Sequence, residues 1–177
     1  MNLFFRFIYL LIRRAFRKKS QSIFEPCETD FRVNIMDIDL NFHMNNGRYL
    51  SLMDLGRFDL MMKAGVFLDL IKKGYYPVVT SQVIRFKKSL APFQKFKIVS
   101  KIECWDEKDT YIVQTFISDD VVYAEGFVKA RFLNRHQKGS IPTKTIFEEA
   151  QIEYRDSDLS KRAELQKMIE KELVQGV

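Results

Sequence analysis

Asp37-Ile38-Asp39-Leu40-Asn41-Phe42-His43-Met44-Asn45-Asn46-Gly47-Arg48-Tyr49 is the stretch that decides how this chain folds. It crowds two carboxylates, an imidazole and three carboxamides between an apolar strand pattern and an apolar helix pattern. A plain connecting loop favours Gly, Ser and Pro instead. These side chains accept, donate and transfer protons. Its exit, Asn45-Asn46-Gly47, reads as a helix start, because Asn is a favoured N-cap. Free backbone N–H groups at such a start attract negative charge. A carboxylate base and an oxyanion-stabilising helix end therefore arrive on one short segment.

Outward from this segment, Glu28 to Met36 alternates Phe31, Val33 and Ile35 and predicts a strand. Arg48 to about Ala64 carries Tyr49, Leu52, Met53, Gly56 and Leu60 at helical spacing, with Gly65 placed to end the helix in a left-handed cap. Gly56 is expected to let the helix approach a sheet closely. Val66 to Lys73 adds a helical piece closed by Gly74. From Tyr76 the period changes to two. Strands are expected through Phe86, over Lys95–Cys104, Tyr111–Ser118 and Val121–Leu133, with hairpin turns at Asp106–Asp109 and Asp119-Asp120. Leu159 to Val174 predicts a charged helix with Leu165, Met168, Ile169 and Leu173 on its inner side. The class is α+β: an antiparallel sheet covered by one long helix.

The chain has 177 residues and a net charge of +6. All of that excess lies in residues 1–19, which hold Arg6, Arg13, Arg14, Arg17, Lys18 and Lys19 and no acid. The rest is balanced, which argues against nucleic-acid binding. Cys27 and Cys104 form no CxxC pair and are expected as reduced thiols. With His43 and His136 as the two histidines, no metal site is expected. Four segments follow: a basic amphipathic stretch 1–19, a linker 20–26, a main domain 27–135 and a C-terminal extension 136–177.

The first 19 residues predict a helix with Leu3, Phe4, Phe5, Phe7, Ile8, Leu11, Ile12 and Phe16 on a broad apolar face. Arg6, Arg13 and Arg17 gather opposite, and Leu10 falls on the wrong side. The apolar run Phe7–Ile12 is too short to cross a bilayer. The favoured expectation is a peripheral helix on the anionic, cytoplasmic face of a membrane. The alternative is docking on its own domain or on a dimer partner.

The stretch Asp37–Tyr49 resembles the Asp-x-Asp-x-x-Gly-His-x-Asn-Asn-x-x-Tyr motif of hydroxybenzoyl-CoA-thioesterase-like hotdog proteins. Within them it is most similar to the thioesterase superfamily member six branch. His43-Met44-Asn45-Asn46, Arg48-Tyr49-Leu50 and the Trp105-Asp106-Glu107 turn carry that similarity. The resemblance covers about residues 25–135. It implies a hotdog fold, a sheet wrapped around a long helix. It further implies a homodimer, with a tetramer as the larger alternative, sites at the dimer interface, and acyl-CoA thioester hydrolysis without a cofactor. The catalytic carboxylate falls on Asp39, and the carbonyl-polarising amide near Asn46. One departure stands out: Phe42 occupies the family's Gly position, which bears on the turn and on the acyl pocket.

Each candidate has a plainer alternative. Asp39 is a general base or a nucleophile, or else an Asx-turn carboxylate that organises the loop. Asp37 reads as structural. His43 orients water or the thioester, or simply bonds nearby backbone. Asn45 is a cap that could also touch substrate, and Tyr49 lines the site or packs. Arg85, Lys87 and Lys88 are candidates for CoA phosphates, or a solvated strand face. Asp54 and Asp59, on the helix, are alternative acids, with Arg57 as an ion-pair partner for either. The rival function is a non-catalytic hotdog module that binds lipid or scaffolds proteins at a membrane. A hotdog dehydratase is weaker, because no His pairs with a helical Glu.

Overall fold

A computed structural model describes residues 2–15 and 21–175. Phe16 to Lys19, the end of the expected basic segment, and Ser20, the first linker residue, lie outside the described residues. Helix α1 (Asn2–Ala15) precedes strand β1 (Cys27–Arg32), helix α2 (Asn46–Lys63) and the short helix α3 (Phe67–Lys72). Strands β2 (Tyr75–Phe86), β3 (Lys95–Trp105), β4 (Asp109–Ser118), β5 (Val121–Asn134) and β6 (Gln137–Ile141) follow, then α4 (Thr143–Glu149) and α5 (Lys161–Gln175).

The sheet is antiparallel, in the order β1-β3-β4-β5-β2, with β6 added to the end of β5. Strand β2 closes one edge. The sheet curls around α2, as the hotdog resemblance implies. Leu52, Met53 and Leu55 of α2 are buried with Ile98, Ile112, Phe116 and Val128 of the strands. Gly56 sets their closeness, since a Cβ there would meet Ser100 Oγ at 2.9 Å and Gln114 Nε2 at 3.0 Å. Gly65, at φ 73°, ends the helix region in the left-handed conformation the sequence called for. Asp119 and Asp120 both take positive φ in the β4–β5 hairpin turn, as that turn type needs. Cys27 and Cys104 are buried free thiols.

Several expectations are corrected. The first strand stops at Arg32, and Ile35–Asp37 forms a 3₁₀ turn, because the Asp37 carboxylate takes the Asn34 N–H. Strand β6 and helix α4 were not expected. Leu10, assigned to the wrong side of the first helix, is 3% exposed and joins the main core. Helix α1 docks on the domain along Leu3, Phe7, Leu10 and Leu11, while Phe4, Phe5, Tyr9 and Ile12 stay exposed. In the stretch expected as a linker, Ile23 is buried and Phe24 stacks on Trp105 at 5.1 Å.

The last helix is inverted relative to expectation. Leu165, Met168, Ile169 and Leu173 are all more than half exposed. Its inner side is instead Ala163, against Cys104 and Tyr111, with Gln166, Lys167 and Glu170. The reason lies underneath. Ser81 of β2 and Lys129 of β5, on the face away from α2, and Asp106 of the β3–β4 turn lie there, and polar partners answer them.

Candidate active site

The loop from Asp37 to Asn46 is a small closed unit. Asp39 N–H donates to the His43 carbonyl at 3.1 Å, and Ile38 bridges Met44. The Asn45 amide donates to the Asp37 carbonyl at 2.8 Å, which closes the mouth. Met44 N–H donates to the Leu90 carbonyl at 2.9 Å and pins the loop near the end of β2. Phe42 sits at φ 56°, the left-handed conformation that a Gly would take without cost. The Phe is accommodated because its side chain points outward, 81% exposed. It therefore fills no pocket in the single chain. Leu40 stands beside it, 97% exposed.

The two aspartates part company here. Asp37 is 1% exposed and receives Arg6 Nη2 at 2.5 Å and Arg48 Nε at 3.1 Å. It is the anchor that ties α1, the 3₁₀ turn and α2 together. Asp39 is 22% exposed. Its Oδ1 accepts the Asn41 N–H at 2.9 Å and lies 3.6 Å from His43 Nδ1. Its Oδ2 has no hydrogen-bond partner among the described residues. The His43 ring also approaches the Met44 carbonyl, at 3.3 Å.

At the helix start Asn45 is the N-cap, and its Oδ1 accepts from the Gly47 N–H at 2.9 Å. The Asn46 N–H, one residue earlier, makes no hydrogen bond among the described residues. One loop thus presents an unengaged carboxylate oxygen and an unengaged amide. Tyr49 is buried against Phe86 at 5.0 Å and Phe116 at 4.8 Å, and burial pushes its phenol above the usual value. It packs under the loop rather than facing it.

The other candidates lie elsewhere. Asp59 is fully buried, accepting Thr29 Oγ1 at 2.8 Å with Lys63 Nζ at 3.5 Å, which fits a structural role. Asp54 pairs with Arg57, and both line an apolar cavity of about 110 Å³ with Phe58, Met61, Val79 and Phe132. Desolvation pushes the Asp54 carboxyl up, against the pull of Arg57. Arg57 reaches on to Gln114 Oε1 at 2.5 Å, and Gln114 Nε2 donates to the Met53 carbonyl and to Ser100 Oγ. This buried network escaped the sequence reading. Its one signal was a Gln between Ile112 and Phe116 on the inward side of a strand.

Arg85 and Lys87 are not brought to the loop. Phe86 faces Tyr49, so strand alternation sends its neighbours to the other face. There Arg85 shares a depression with α5, and Lys87 pairs with Glu125 at 3.3 Å.

Comparison with known proteins identifies the family. Over 111 residues the chain is 34% identical to Protein THEM6 of Xenopus laevis, covering 62% of this chain and 52% of that protein. Over 129 residues it is 31% identical to Probable thioesterase YBR096W of Saccharomyces cerevisiae, covering 64% of this chain and 56% of that protein. The chain thus spans just over half the length of these relatives. Among solved structures, SAV2348 of Staphylococcus aureus in complex with CoA superposes with a TM-score of 0.64 at 17% identity, covering 75% of this chain and 85% of that one. A model of the Thioesterase-like superfamily matches residues 33–173, and the chain belongs to that family.

Proposed function

We propose that this chain hydrolyses acyl-CoA thioesters to free acid and CoA, as a homodimer. The observation that carries the reading is the loop itself. Asp39 Oδ2 and the Asn46 N–H are both unengaged at the two ends of one hydrogen-bonded turn. The thioester carbonyl oxygen accepts from the Asn46 amide, which stabilises the negative charge of the tetrahedral intermediate. Asp39 takes a proton from the attacking water, and the intermediate collapses to the acid with departure of the CoA thiolate. As a nucleophile, Asp39 would instead form a mixed anhydride that water then cleaves. His43, 3.6 Å from Asp39, orients the carboxylate. Membership of the family and the CoA bound to the Staphylococcus aureus neighbour support a CoA thioester as substrate. The exposed Leu40 and Phe42 leave an open shelf, which a second copy would wall in.

The cavity beside Asp54 favours a second reading, with a helix-borne acid as base and the apolar space as acyl slot. A panel of acyl-CoAs with a free-thiol reagent separates the two. Turnover lost in Asp39→Asn and kept in Asp54→Asn supports the loop; the reverse supports the helix. Tight acyl-CoA binding without turnover by the unmodified chain supports the non-catalytic module.

We also propose a peripheral seat on the cytoplasmic, anionic face of a membrane. No helix among the described residues is long and apolar enough to span one. Helix α1 turns one face to the domain and leaves the Phe4, Phe5, Tyr9 and Ile12 stripe outward, next to the basic run. Docking and membrane contact thus use different faces of one helix. Phe4→Ser with Tyr9→Ser should abolish pelleting with anionic vesicles while the fold stays intact. Unchanged pelleting removes the membrane claim.

A further inference from the structure

Where β2, β5 and α5 meet, the outer face of the sheet holds a depression of about 330 Å³. Val83 and Arg85 of β2 line one side, Phe127 of β5 lies between, and Leu165 and Ile169 of α5 line the other. Both α5 residues are more than half exposed. The charges here do not balance. Arg85 stands opposite Glu125 in the β2–β5 pairing, yet it has no ion pair among the described residues. Glu125 instead takes Lys87 Nζ at 3.3 Å and Arg162 Nη1 at 2.9 Å. Burial works against the Glu125 carboxylate, but Lys87 and Arg162 outweigh it and hold its pKa below the ordinary value. The acid is therefore ionised at neutral pH, and three cations surround one anion. Guanidinium groups grip phosphate oxygens in pairs. Exposed aliphatic side chains beside them suit the flat face of a base. An apolar partner would leave the excess charge unanswered, and a bare anion would leave the apolar wall uncovered.

Strand alternation keeps these groups off the catalytic loop, but the chain between them is short. Phe86, next to Arg85, packs on Tyr49 near the start of α2. Four residues further on, the Leu90 carbonyl accepts the Met44 N–H of the loop. The five steps from Arg85 to Leu90 span at most about 18 Å. Coenzyme A carries its sulfur and its phosphates at opposite ends of a long pantetheine arm. A thioester held at the Asn46 amide therefore needs phosphate partners at a distance from the loop. The uncompensated guanidiniums stand at such a distance, around the end of β2. Gln166 Nε2 donates to Ser81 Oγ at 2.6 Å and fixes α5 over the strand, so the two sides of the depression are held together.

We propose that this depression seats the adenosine 3′-phosphate end of CoA, with Arg85 and Arg162 on its phosphates, Lys87 at the rim, and the adenine against Leu165 and Ile169. The inference deepens the acyl-CoA reading above and rests on it. It makes α5, which lies outside the sheet and its central helix, a wall of the substrate site. It also gives the first half of the outward apolar side of α5 an occupant.

The test compares the full chain with a double variant, Arg85→Glu with Arg162→Glu, checked by circular dichroism. The first measurement is titration calorimetry with adenosine 3′,5′-bisphosphate, which carries the nucleotide without a thioester. The parent should bind it, and the double variant should bind it at least about tenfold more weakly. The second is kcat/KM for one acyl group presented as its CoA thioester and as its N-acetylcysteamine thioester, which lacks the nucleotide. General damage lowers both values alike. Loss of the seat lowers their ratio, by roughly 10- to 100-fold and through KM. A parent that binds the bisphosphate and hydrolyses neither thioester ends the hydrolytic reading and leaves the seat standing. A parent without affinity for the bisphosphate overturns the seat, as does a double variant with the parent's affinity or the parent's ratio. Inorganic phosphate binding as tightly as the bisphosphate marks a bare anion patch and overturns it too. If the double variant loses pelleting on anionic vesicles and keeps its bisphosphate affinity, the cations serve lipid headgroups and the proposal is wrong.

Discussion

Asp37 and Asp39 are two residues apart and chemically identical, yet the fold puts them to opposite uses. Asp37 is buried between Arg6 and Arg48 and holds three elements together. Asp39 is partly exposed, braced by one backbone amide, with one oxygen left over. A carboxylate saturated with partners serves stability, because removing it strands buried charge. A carboxylate with spare valence can serve chemistry. The contrast separates substitutions that should stop turnover from those that should loosen the fold.

After Asp39 itself, the largest expected effect lies at its partner, the Asn46 amide. Asn46→Pro removes the backbone N–H at the first helical position, where proline is well tolerated. Asn45 already has φ −59° and ψ 136°, the conformation that a following proline favours. Turnover should fall about 10²–10³-fold, with the melting temperature nearly unchanged. Wild-type turnover in this variant would remove the amide from the mechanism. Asp37→Asn should do the reverse. It leaves the Arg6 and Arg48 guanidiniums without their anion and should cost about 3 kcal/mol in denaturant unfolding, while turnover per folded molecule is kept. A stable Asp37→Asn variant would erase the contrast from the structural side. Asn45→Ala removes the cap bond to Gly47 and should cost about 1 kcal/mol.

The smallest effect is a pH dependence at α5. Burial works against the Asp106 carboxylate, but Lys167 and the Lys108 and Asp109 amides outweigh it and hold the carboxyl below its ordinary value. A depressed acid contributes stability above its unfolded pKa of about 3.9 and loses it as the pH falls through the lower folded value. Amide-exchange protection factors in α5, which allow for the intrinsic pH dependence of exchange, should therefore fall below about pH 4. Asp106→Asn should remove most of that dependence.

Much of the fold was legible because local signals agreed with it. The Asn45 cap, the left-handed Gly65, the Asp119-Asp120 turn and the close approach at Gly56 each follow from one residue's own conformational or steric properties. The loop was legible for the same reason, since its polar groups bond mainly to one another. What stayed hidden depends on surfaces that meet across the chain. The apolar pattern of α5 named an inner face, yet Ser81, Asp106 and Lys129 beneath it select Gln166, Lys167 and Glu170 instead. A single apolar face leaves Leu10 out of place, whereas α1 has two apolar faces. Arg6 belongs to a basic face in sequence, yet in the fold its guanidinium meets the buried Asp37 carboxylate. The cavity beside Asp54 has no local signature, because α2, α3, α4 and four strands build it together.

The central claim is that a free oxygen at position 39 activates water. It is tested most directly by CoA release from purified parent and Asp39→Asn protein, matched for folded fraction. A base at that position requires the variant to lose about 10²–10⁴-fold in turnover at unchanged stability. A variant that releases CoA at the parent's rate contradicts the mechanism outright.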